Sequence, residues 1–174
     1  MSLFLGGPGE GDPWPTSRVP ICFRPPGTLT NVPDPISGHP YIITYSTEEW
    51  ERKRQLVRDA LEGSWQKWTS LVFAGWGTCP STLSGYIYVD LIQNDCGGCG
   101  NSTRGYDPKG DYVWLMMENP DERLLRTVVM HEFGHALGFH HEMDRPDATF
   151  PDGTHQCTDG PVTYYQGIYL TPYY

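Results

Sequence analysis

The sequence predicts an α+β domain. Three observations lead there. Five short apolar runs have strand composition, two longer stretches repeat their apolar residues at helical spacing, and turn-formers (20 Gly and 16 Pro among 174 residues) separate them. The length suits one domain with a sizeable core.

Taken in order, residues 1–18 are rich in Gly and Pro and are expected to form a flexible N-terminal segment. Met1–Leu5 lacks the basic start and the long apolar run of a signal peptide. Val19–Phe23 and Tyr41–Tyr45 read as strands joined by a Pro/Gly-rich connection. Ser46 or Thr47 caps a helix whose first turn holds Glu48 and Glu49. Trp50, Leu56, Val57, Ala60, Leu61, Ser64 and Trp68 mark its core-facing stripe. Leu71–Trp76, Tyr86–Ile92 and Asp111–Met117 read as further strands. A second helix is expected from about Asp121 to Phe139, with Leu124, Leu125, Val128 and Val129 inward.

Net charge is −9 with no basic stripe, which argues against nucleic acid or anionic membranes as partners. No run approaches the roughly 20 apolar residues of a membrane helix. A monomer is expected. Five cysteines are present. Cys96 and Cys99 bracket two glycines and are expected to form a local disulfide, since no second C-x-x-C completes a four-ligand zinc site. An odd cysteine then remains among Cys22, Cys79 and Cys157, and its partner is expected beyond Tyr174. Asn101-Ser102-Thr103 is a glycosylation sequon.

One segment narrows the function most: His131-Glu132-Phe133-Gly134-His135-Ala136-Leu137-Gly138-Phe139-His140-His141. Histidines four apart on a helix share a face, so His131 and His135 can bind one zinc ion. Glu132 lies beside the metal, where a general base takes the proton of an attacking water. Gly138 permits the positive φ that ends the helix and turns the chain. His141 then supplies the third ligand, leaving one position open, as a catalytic zinc site requires. His140 competes for that role but sits one residue early, so spacing favours His141.

These residues resemble the metzincin clan of zinc metallopeptidases. Within it they are most similar to the astacin pattern H-E-x-x-H-x-x-G-F-x-H-E-x-x-R-x-D-R-D. His131, Glu132, His135, Gly138, Phe139, His141, Glu142, Arg145 and Asp147 match, while Ala148 and Thr149 depart from it. More loosely, Trp14 to Tyr174 resembles an astacin- or matrixin-related catalytic domain of secreted microbial type. The resemblance implies a metzincin-like α+β fold. A twisted mixed sheet, a backing helix and an active-site helix would form an upper subdomain to about residue 138, within a catalytic domain over 19–174. A short lower subdomain, 139–174, would follow. It implies one catalytic Zn2+, a protein or peptide substrate and an extracellular setting. It gives Glu142 the part of a buried salt-bridge anchor for the mature N-terminus. It also implies an edge strand that pairs with extended substrate, for which Tyr112, Val113, Trp114 and Leu115 are the local candidates. Cys22 as a zinc cap in a latent form is a further implied reading, set against a plain strand position. The clan's methionine turn has no counterpart after His141, because Met143 is too close. The chain is therefore expected to stop before it.

The function expected is zinc-dependent endopeptidase chemistry. The rivals are a zinc-binding, non-catalytic or latent module of the same fold, and a zinc hydrolase of non-peptide amides.

Overall fold

Alternate residues of the central strands decide which way the sheet faces. In the computed structural model, residues 14–33, 40–94, 98–139, 163–165 and 168–170 are described. The elements run β1 (Arg18–Phe23), β2 (Leu29–Pro33), β3 (Pro40–Ile42), α1 (Thr47–Gly63), α2 (Trp65–Trp68), β4 (Val72–Thr78), β5 (Ile87–Ile92), β6 (Gly100–Ser102), β7 (Asp111–Met116), α3 (Glu122–Ala136), β8 (Thr163–Tyr165) and β9 (Ile168–Leu170). Val19, Ile21 and Phe23 of β1, Ile87, Val89 and Leu91 of β5, and Val113 and Leu115 of β7 all enter one apolar core. Leu56, Val57, Ala60 and Leu61 of α1 and Leu125, Val128, Val129 and Phe133 of α3 close it from above. Period two in the strands and period 3.6 in the helices thus meet in a single layer. On the sheet's other face Ile92, Cys99 and Met116 form a smaller cluster with Tyr41 and Trp114.

The five-stranded sheet has the order β4-β1-β5-β7-β6. Four strands are parallel, and β6 alone is antiparallel, pairing with β7. The sheet is therefore mixed, with both long helices beside it, and the α+β expectation holds. Two small antiparallel hairpins, β2–β3 and β8–β9, complete the described strands. Ser46 caps α1 through a full capping box: its Oγ accepts from Glu49 N at 3.2 Å, and Glu49 Oε2 accepts from Ser46 N at 3.3 Å.

Several expectations need correction. The candidate substrate-pairing residues Tyr112, Val113, Trp114 and Leu115 do not lie at an edge. Each pairs with β5 on one side, and Val113, Trp114 and Leu115 also pair with β6 on the other. Their backbone groups are spent within the sheet, and the edge belongs to Gly100–Ser102. Trp68 is 78 % exposed rather than core. The helix breaks at Ser64, so the stripe that serves α1 does not carry into α2. The N-terminal segment is not loose as far as residue 18. The Trp14 indole N–H donates to the Ala136 carbonyl at 2.9 Å, and its ring meets Tyr106 edge-on at 5.0 Å. Cys22 is bonded to Cys79, which removes it as a zinc cap. Cys99 is also disulfide-bonded, while Cys96 and Cys157 lie outside the described residues.

Candidate active site

The site grows from the last two turns of α3. Asp121 starts the helix by accepting from Arg123 N at 2.9 Å. Its end is set by Gly138, whose φ of 100° lets the chain leave the helix at low cost. Gly138 N donates to His135 O at 2.8 Å, and Phe139 N donates to Gly134 O at 2.9 Å. This pair of bonds is a Schellman motif. The other terminal carbonyls are also met. Gly105 N reaches His135 O at 3.0 Å, Leu137 N reaches Phe133 O at 3.0 Å, and Trp14 takes Ala136 O. A helix end with its acceptors satisfied holds its last side chains firmly.

The turn has a consequence for His135. It brings the Phe139 carbonyl to 2.7 Å from His135 Nδ1. A carbonyl only accepts, so Nδ1 carries the proton and Nε2 presents a lone pair. Trp65 steadies the turn, its ring 5.0 Å from that of Phe139 and its N–H on Met130 O at 3.0 Å.

His131 Nε2 lies 3.1 Å from His135 Nε2. Two nitrogens held about 2.0–2.1 Å from one tetrahedral ion stand roughly 3.4 Å apart, so this pair fits a zinc ion. Facing lone pairs at such a distance repel unless a proton or a cation lies between them. The donor set, two imidazoles with one oriented by a backbone carbonyl, suits a zinc ion.

Glu132 projects to the neighbouring part of the helix face and is 5 % exposed. Burial pushes its carboxyl up from 4.5 to about 7, against a smaller opposing effect of a hydrogen bond from Ser102 Oγ at 3.3 Å. A carboxylate that exchanges its proton near neutral pH is suited to acid–base work. Asp111 fixes the loop before β7, accepting from Thr103 Oγ1 at 3.0 Å and from Asp107 N at 3.1 Å.

The structure thus brings together His131, Glu132, His135 and Gly138. It sets Tyr112–Leu115 one strand away from the edge. Among the described residues no third metal-ligating side chain joins the histidine pair. His141, His140 and Glu142 lie outside the described residues. Sequence reasoning misses two neighbours of Glu132, namely Gly100 and Ser102. Their only local signal is a spacing of two on a short polar strand.

Among known families, the model of the Astacin peptidase family matches residues 37–150, more than half of the chain. No curated protein matches it.

Proposed function

The chain belongs to the astacin family of zinc-dependent metallopeptidases, and we propose that it is an endopeptidase that cuts extended polypeptides. His131 and His135 would hold the ion through Nε2, with His141 as third ligand. When bound, zinc supplies Lewis-acid polarisation of the scissile carbonyl and acidifies the attacking water.

The chain's own groups do the rest. The Glu132 carboxylate takes the proton of the water as it attacks, then delivers it to the leaving amine nitrogen. Its burial keeps bulk water away from that transfer. Phe139 O holds the His135 ring in the tautomer a metal needs. The outer edge of β6 offers main-chain donors and acceptors to a peptide laid alongside it, in place of the β7 residues that the sequence suggests. The Cys22–Cys79 bond supports a setting outside the reducing cytosol.

The observation that carries this reading is the convergence of two imidazole nitrogens at 3.1 Å beside a buried carboxylate. A chelator test addresses it. Dialysis against a strong chelator should abolish cleavage of casein, and one equivalent of zinc should restore it. Cleavage that persists in the metal-stripped protein would overturn the reading.

A further inference from the structure

No group on α3 bonds the Glu132 carboxylate; the hold comes from β6. Residues two apart on a strand share a face, so Gly100 and Ser102 both face α3. Asn101 turns the other way, its Oδ1 accepting from the Tyr112 hydroxyl at 3.2 Å. Gly100 supplies space: a Cβ there would come within 2.6 Å of Glu132 Cγ and 3.1 Å of its Cδ and Oε1. Ser102 supplies the contact, its Oγ–H donating to Oε2 at 3.3 Å. Among the described residues this hydroxyl is the carboxylate's one hydrogen-bond partner.

We propose that Ser102 is a positioning residue for the general base. It holds Oε2, so that Oε1, on the Gly100 side, is presented to the water. A glutamate has three rotatable side-chain bonds, and packing under Gly100 narrows its options without selecting one. A hydrogen bond to one named oxygen makes the selection. A misplacement of about 1 Å at a reacting group costs roughly 100-fold in rate, so the hold should appear in turnover rather than in substrate binding. The kinetic consequence rests on the peptidase reading above; the hold on Glu132 rests on geometry alone.

The test uses the zinc-loaded full chain with Ser102→Ala and Ser102→Thr, assayed on a fluorogenic peptide. For Ser102→Ala, kcat should fall about 10- to 100-fold with KM within about twofold. Bound zinc and Tm should stay unchanged, and Ser102→Thr should regain most of the loss. Crystal structures of the metal-free wild type and Ser102→Ala give a second readout. Glu132 should hold one rotamer on Ser102 in the first and leave it in the second. The proposal is overturned by a Ser102→Ala kcat within about twofold of wild type, by a loss confined to KM, or by the same Glu132 rotamer in both structures. If the wild type binds zinc but cleaves nothing, the peptidase reading falls, and the two crystal structures alone decide for or against Ser102.

Discussion

Asp111 shows how a single buried carboxyl makes stability depend on pH. Its oxygens accept from Thr103 and Asp107, but burial outweighs these bonds and raises its pKa from 3.8 to about 6. In the unfolded chain the proton leaves near pH 4; in the native protein it stays until about 6. Between those values the folded state binds more protons. This residue's contribution therefore makes stability fall as pH rises from about 4 to about 6 and level off above. Asp111→Asn should remove that slope. Urea unfolding of both proteins from pH 4 to 7 should show wild type losing on the order of 1–3 kcal/mol relative to the variant; parallel curves would contradict the account. At this scale the sequence is legible where a motif is local. His131 and His135 share one helix face and Glu132 lies on the neighbouring part of it, so spacing alone places them. Ser102 lies 30 positions from Glu132, and no local pattern announces a contact between a three-residue strand and a distant helix.

The end of α3 joins backbone geometry to metal chemistry. Gly138 takes φ 100°, and the turn it allows delivers the Phe139 carbonyl to His135 Nδ1. An alanine at this position would be strained and would loosen that contact. Gly138→Ala should therefore weaken zinc binding about 10- to 100-fold, the usual cost of losing an outer partner of a ligating histidine. Competition with a zinc-binding dye measures it, and unchanged affinity would contradict the role given to the turn. Helices are the legible elements because capping boxes and apolar stripes are short-range signals, as Ser46-Thr47-Glu48-Glu49 illustrates. The helical stripe reads on to Trp68 because apolar spacing resumes past Gly63-Ser64, the pair that marks the break. Gly100-Asn101-Ser102 has no apolar alternation, so β6 leaves no trace in the sequence and exists only because β7 offers it a free edge.

Strand order belongs to the whole molecule, and under the proposed function it sets where substrate would lie. The parallel run β4-β1-β5-β7 leaves the antiparallel β6 as the rim that packs beside α3. The apolar pattern identifies four of those five strands but says nothing of their order, because order is fixed by long-range pairing. The disulfide pairing is equally hidden. Cys22–Cys79 ties β1 to the residue after its neighbour, the edge strand β4, across 57 positions. Replacing both cysteines by serine should lower stability by about 2–4 kcal/mol, read from denaturant midpoints; an unchanged midpoint would mean the sheet needs no tie there. The proposed function has this molecule cleave peptides with a zinc ion on His131 and His135 and a base at Glu132. Bound zinc and peptide cleavage, measured together on wild type and Glu132→Gln, test it most directly. About one zinc per chain is expected in both proteins, with cleavage lowered about 100- to 10,000-fold in the variant. Equal cleavage by the two, with zinc bound in each, would contradict it.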